Sequence, residues 1–209
     1  MVAIKVNPNR MELLKLKKRT EIAKRGHKLL KDKLDELMKQ FFILIRRNRI
    51  LRQEVEEKLT QAYLLFALAR SEVAIEVIEE ALLYPHAEVS VDVLQKTLMG
   101  VAVPQIGLQQ KGTFDCYGLS TTPAILDDAL QTFNKVLPLM IQLAEVEKAV
   151  ELLALEIEKT RRRVNALEHV LIPQLEEAVR YVTMKLDEME RSYRTQLMVI
   201  KEMVSEAAI

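Results

Sequence analysis

Apolar side chains recur along the N-terminal part of the chain at alternating steps of three and four. One series runs Leu16, Ala23, Leu30, Leu37, Leu44 and Leu51; its companion runs Leu13, Thr20, His27, Leu34, Phe41, Asn48 and Val55. A 3-4 seam held over roughly six heptads predicts a coiled-coil helix. His27 and Asn48 interrupt it, and polar residues on such a seam lower stability while fixing register. Asn7 followed by Pro8 predicts the helix start, with Asn as N-cap and proline where a missing N–H is harmless.

A second long helix is predicted from about Thr122–Pro123 nearly to the end, with no glycine after Gly118. Leu143, Val146, Val150, Leu153, Ile157, Thr160, Val164, Leu167 and Leu171 keep the seven-residue repeat. From Val164 the spacing becomes 3-4-4, through Leu175, Ala178, Val182, Leu186, Met189, Tyr193, Leu197, Ile200 and Val204. An eleven-residue repeat straightens the supercoil or reverses its hand. Pro173 lies off the seam where the two periods meet. Its missing hydrogen bond to the carbonyl of His169 leaves two readings, a tolerated kink or a built-in change of helix path.

Between the helices the pattern changes. Glu76 to Pro85, EVIEEALLYP, reads as a short helix stopped by proline. Residues 86–122 hold four of the five glycines and the apolar runs VSVDVL and LMGVAVPQI, which predict short strands arranged as a β-hairpin. The expected organisation is a coiled-coil helix over residues 1–70, an insert over 71–122 and a second coiled-coil helix over 123–209. The fold class is mainly α: a long antiparallel two-helix coiled coil with a small β-hairpin insert at the end opposite the termini. Helices of this length would make a rod of about 80–100 Å. With both termini at one tip, facing residue numbers should total roughly 215, placing Leu16 beside Ile200 and Arg52 near Arg163.

Composition agrees with long helices. Hydrophobic residues are 49% and charged residues 29% of the 209, with 5 glycines and 6 prolines. The single cysteine, Cys116, cannot form an internal disulfide and reads as a small packed residue in a reducing compartment. No apolar run is long enough for a membrane span, and the first residues lack a signal-peptide core, so a cytoplasmic protein is expected. Net charge is only +1, yet residues 1–52 hold 16 Lys/Arg against 5 Asp/Glu, and residues 53–160 hold 7 against 17. That segregation suits an ordered contact with a charged partner.

Catalytic chemistry is hard to find. His27, His86 and His169 are far apart, with one cysteine between them, so no metal cluster follows. His27 reads as a packed polar residue on the seam and His169 as solvated. Gly107 to Thr113, GLQQKGT, imitates a phosphate loop but lacks the lysine after its second glycine. Asp127–Asp128 and Glu176–Glu177 are neighbours on helices and point apart. Neither a catalytic site nor a cofactor site emerges.

The segments NPNRMELLKLKKR from Asn7, AKRGHKLLKDKLDELMKQF from Ala23 and TRRRVNALEHVLIPQLE from Thr160 resemble shared motifs of the V-type ATPase D-subunit family, the rotor stalks of V/A-type ATPases. LMGVAVPQI from Leu98 and YGLSTTPAILDDA from Tyr117 resemble that family's middle segment, so the likeness covers nearly the whole chain. It implies a non-catalytic shaft inside a hexamer of catalytic A and regulatory B subunits. A small F protein of the rotor and a membrane-side adaptor complete the rotating part. Hydrolysis by the hexamer would turn the shaft and a membrane ring that moves protons or sodium ions, and reverse flow would drive ATP synthesis.

Two arginine runs, Arg46, Arg47, Arg49 and Arg52 with Arg161, Arg162 and Arg163, are then expected to form a positive collar facing the hexamer. Successive helix residues turn about 100°, so adjacent arginines spread around a shaft, and each guanidinium stays charged and binds carboxylates in a fork. The plainer reading is intramolecular pairing, as for Glu158 with Arg162 at i,i+4. The basic tip, including Arg10, Lys17, Lys18, Arg25 and Lys28, supports an alternative: a coiled coil whose basic arm binds nucleic acid or an acidic membrane surface. No base-stacking aromatics lie among these charges, and with the rotor-stalk likeness no nucleic acid is expected as a partner.

Overall fold

The computed structural model describes residues 7–83, 86–113, 117–118 and 121–206. Helix α1 spans Arg10–Glu72 and α2 Ile75–Leu82; strands β1 (Glu88–Leu98) and β2 (Val101–Lys111) follow. Helix α3 covers Ala124–Ala166, a π-turn covers Leu167–Leu171, and α4 runs Ile172–Glu206. The chain forms two compact units, Met1–Asp35 with Glu158–Ile209, and Glu36–Ile157. Cys116 lies outside the described residues.

Helix α1 starts later than Asn7. The Asn9 side chain accepts from the Met11 N–H at 3.4 Å, and the Asn9 carbonyl accepts from Leu13 N–H at 3.0 Å. Asn9 is therefore the N-cap, and Pro8 precedes the helix. The predicted seam of α1 is buried or half-buried at every position, with Leu16, Ala23, Leu37, Leu51 and Val55 the most enclosed. It continues through Ala62 and Ala69, whose small side chains are fully buried.

In the first unit, Leu16 and Ala23 form one cluster with Leu175, Ala178 and Val182 of α4, joined by Leu13, Ile172, Val179 and Leu186. Ion pairs flank it, Arg10 with Glu190 at 2.5 Å and Lys24 with Glu176 at 2.7 Å. In the second unit, Arg52 pairs with Glu147 at 2.7 Å. Facing residue numbers therefore total about 200, not 215. Leu16 packs with Val182 rather than Ile200, and Arg52 faces Glu147 rather than Arg163. The first residue of α1 stands opposite Glu190, so the end of α4 runs past it. Tyr193, Leu197, Ile200 and Val204, predicted to lie on the seam, are consequently exposed.

The π-turn directly precedes Pro173. The Ile172 N–H reaches the carbonyl of Leu167, five residues back, where an α-helix would use the fourth. The extra residue opens the backbone just where a proline ring would press on the preceding turn. It also shifts the helix phase by one position. Ile172 joins the Leu16 cluster, while Leu171, expected on the seam, is 42% exposed.

The insert belongs to the second unit. Ala69, Ile78 and Leu126 knit α1, α2 and α3 together, with Phe66 and Tyr117 packed on them. Phe133 sits edge-on to Tyr63, ring centroids 5.5 Å apart. Strands β1 and β2 pair antiparallel from Glu88–Lys111 to Leu98–Val101. Each has 11 residues, longer than the short strands expected. Met99 and Gly100 turn the hairpin with φ of 52° and 81°, the doubly positive backbone of a type I′ turn.

At the other end of the hairpin, Gly112 has φ +88° and a Cβ there would lie 2.2 Å from the His86 carbonyl oxygen. Gly112→Ala is expected to open the hairpin base, read as faster hydrogen exchange at the ladder-bonded amides of Glu88, Ser90, Gln109 and Lys111. Unchanged exchange would contradict this. Leu37→Ala, at a fully buried seam position, should cost about 2–5 kcal/mol in urea unfolding. Leu29→Ala at a 68% exposed position should stay within about 0.5 kcal/mol.

Candidate functional site: the arginine runs and the basic end

Arg46, Arg47, Arg49 and Arg52 belong to the second unit, whereas Arg161, Arg162 and Arg163 belong to the first. All seven are exposed. The first four follow the half-buried Leu44 and bracket Leu51, so the α1 seam fixes them as an outward group. The other three precede Val164, which is buried, and follow Thr160, which is 1% exposed. The first run thus brackets a seam residue and the second lies between two, and these buried positions hold the backbone of each run in place.

Two of these arginines have acidic partners. Arg52 reaches across to Glu147, and Arg162 binds Glu158 one turn back, as the i,i+4 order leads one to expect. Among the described residues, Arg46, Arg47, Arg49, Arg161 and Arg163 form no ion pair. Glu54, a candidate to neutralise the first run, is instead held by Lys58 at 3.4 Å. Five guanidinium groups on two helices thus present charge to solvent. Such groups can exchange carboxylate partners without a fixed bond to lose, and exposed pairs of this kind are worth only about 0–1 kcal/mol each.

The basic end is less basic once folded. Arg10 is paired with Glu190, Lys24 with Glu176, and Arg25 with Glu21, while Lys17, Lys18 and Lys28 stay exposed. Lys17, Lys24 and Arg180 line a shallow open groove together with Glu21 and Glu176. The hydrogen bond from Lys24 Nζ, and then its charge, hold the Glu176 carboxyl below the usual carboxylate range. Lys15 does the same for Glu12.

His27, half-buried on the seam, places Nε2 3.4 Å from Glu168 Oε2. The π-turn therefore touches α1 through a polar contact where the apolar seam is interrupted. His169 is exposed. Pro173 is also exposed, its ring turned off the seam. Gly107 to Lys111 of the GLQQKGT stretch lie in β2 and lead into no helix. Among the described residues no group of three His, Cys, Asp or Glu side chains could hold a metal ion. No helix there is long and apolar enough to cross a membrane.

Sequence reasoning missed Glu145 and Asn134 of α3, which fasten the hairpin. Glu145 Oε2 accepts the Ile106 N–H at 3.2 Å, and Asn134 Oδ1 accepts from Gln110 Nε2 at 2.9 Å. Their only trace in the sequence is a half-polar face on an otherwise apolar helix.

Residues 12–202 match the family model of the ATP synthase D subunit. The chain is 55% identical over 206 residues to a V-type ATP synthase D subunit of Thermoanaerobacter sp. (strain X514), covering 98% of this chain and 99% of that one. A V-type ATP synthase D subunit of Acetivibrio thermocellus is 51% identical, covering 100% and 96%. One from Clostridium novyi (strain NT) is 49% identical, covering 98% and 97%.

Because the folded Glu176 carboxyl titrates low, the stabilisation from its lysine is complete above the ordinary carboxylate pKa and fades as pH falls through the depressed value. Lys24→Met should raise the Glu176 titration midpoint toward the ordinary carboxylate value in carbon-detected NMR. A midpoint that stays put would show that Lys24 is not the cause. The chain belongs to the ATP synthase D-subunit family.

Proposed function

We propose that this family member is the non-catalytic central shaft of a rotary V-type ATP synthase, peripheral to the membrane on its cytoplasmic side. It couples ATP hydrolysis or synthesis in a hexamer of A and B subunits to proton or sodium ion transport by a membrane ring. The small F protein of the rotor and a membrane-side adaptor are its further partners. The observation that carries the reading is the antiparallel seam itself, in a chain matched to the D-subunit family over residues 12–202. Two segments nearly two hundred residues apart brace each other, as Arg10 and Glu190 do. A part that transmits twist needs such bracing, because a single helix turns and bends freely.

Two further features support a partner that surrounds the chain. The last turns of α4 expose Tyr193, Leu197, Ile200 and Val204, an apolar strip that in water calls for cover. The unpaired arginines of the two runs offer cations to a moving ring of carboxylates. Each of the two runs, taken by itself, guides rotation as a collar segment with no single deep minimum to stall it. The π-turn before Pro173 follows Arg161–Arg163 closely in the chain, and beyond it Ile172 packs against the Leu16 cluster of α1.

Copurification with two large ATPase subunits and a small one is the direct test of membership in the assembly. For the collar, Arg46, Arg47, Arg161 and Arg162 are changed together to Gln in the reconstituted complex. ATPase rate and torque should fall several-fold while the complex still assembles. Unchanged rate and torque in an intact complex would remove the collar and leave the shaft standing.

A further inference from the structure

The two edges of the β-hairpin are treated differently. On β2, the Ile106 N–H points away from the ladder and is taken by Glu145 at 3.2 Å. In an antiparallel pair, outward and inward backbone groups alternate. Ile106 therefore fixes Ala102, Pro104, Leu108 and Gln110 as outward too. Pro104 agrees, since it has no N–H to give to a ladder. That edge is guarded by a proline and fastened to α3.

The same register carries over to β1. Ile106 faces Val93, Leu108 faces Val91, Gln110 faces Val89, Pro104 faces Gln95 and Ala102 faces Thr97. Val89, Val91, Val93, Gln95 and Thr97 thus turn their N–H and C=O groups off the hairpin. Among the described residues nothing bonds to these groups. Every residue from Glu88 to Thr97 is exposed, and the valines are 41%, 50% and 61% exposed in turn. Edge strands are ordinarily guarded by proline, lysine, a bulge or a cover. Over Glu88–Gln95 this one has no proline and no lysine.

We infer that the outer edge of β1 is a strand-pairing surface that receives an extended segment of another subunit; this rests on the rotary-assembly reading above. A row of outward donors and acceptors repeating every two residues, roughly 6.8 Å, is matched by a β-strand and by no helix, whose own groups are already used. The chemistry of the occupant follows from the neighbours. Apolar residues at alternate positions lie beside Val89, Val91 and Val93. A basic side chain on the opposite face lies near Asp92, whose carboxylate accepts from the neutral Gln109 Nε2 at 2.8 Å and so keeps its charge, and near Glu88, which faces Lys111 across the hairpin.

Residue-level hydrogen exchange on the full chain, alone and in the assembled complex, tests this. Amides of Val89, Val91, Val93, Gln95 and Thr97 should exchange freely in the chain alone and at least about tenfold more slowly in the complex. Ser90, Asp92 and Leu94, bonded within the hairpin, should be protected in both. Val91→Pro removes an outward N–H that the ladder does not use, and should speed exchange at Val89 and Val93 in the complex about tenfold, one hydrogen bond's worth. Val91→Thr should not. An intact complex whose outward amides still exchange freely overturns the inference and leaves the shaft reading untouched. Protection in the isolated chain that grows with its concentration also overturns it, since the occupant is then a second copy. Failure to copurify with the ATPase subunits overturns both.

Discussion

Everything described here depends on a narrow row of apolar side chains contributed by two distant segments. Leu16 and Ala23 of α1 have little to bury against by themselves. They become a core only when Leu175, Ala178 and Val182 of α4 run past them in the opposite direction. Burying a leucine or valine such as Leu16 or Val182 is worth about 1.5–3 kcal/mol, and an isolated helix gains none of it. The rest of each helix surface is left for charge, and ion pairs such as Lys24 with Glu176 settle on the flanks. Pairing of the helices thus precedes, in physical terms, every statement about exposed arginines.

The seam also explains the irregularity at Pro173. A proline inside a helix loses a hydrogen bond and crowds the turn before it, yet α4 must keep facing α1. Inserting one residue as a π-turn relieves the crowding and shifts the phase, with Ile172 taking the inward place and Leu171 turned out. Glu168, inside the π-turn, meets His27 on α1. A polar residue on one helix thus sits beside the break in the other, which is where a pairing defect is least damaging.

The spacing of apolar residues made both long helices legible, and the positions of the α1 seam held throughout. Register was not legible. A heptad seam slid by two whole repeats still places apolar residues opposite apolar residues, so a total near 200 and one near 215 look alike in sequence. The assumption that both termini end level decided the matter wrongly, and the unbroken 3-4-4 spacing placed Tyr193, Leu197 and Ile200 on a seam they do not join. The π-turn was hidden for a similar reason. From Val164 to Leu175 is eleven residues, and an eleven-residue repeat gives the same spacing as a heptad pattern with an added residue. For the arginine runs, the residue types and the Glu158–Arg162 pair were readable. The partner of Arg52 was not, because Glu147 lies 95 positions away.

The most direct measurement places spin labels across the proposed pairings in the full chain, with Cys116 replaced by Ser. Labels at Arg10 and Glu190, and separately at Arg52 and Glu147, should report close neighbours, while a pair at Leu16 and Ile200 should be clearly more distant. Close approach of Leu16 and Ile200, with Arg10 and Glu190 far apart, would contradict the register and the seam built on it.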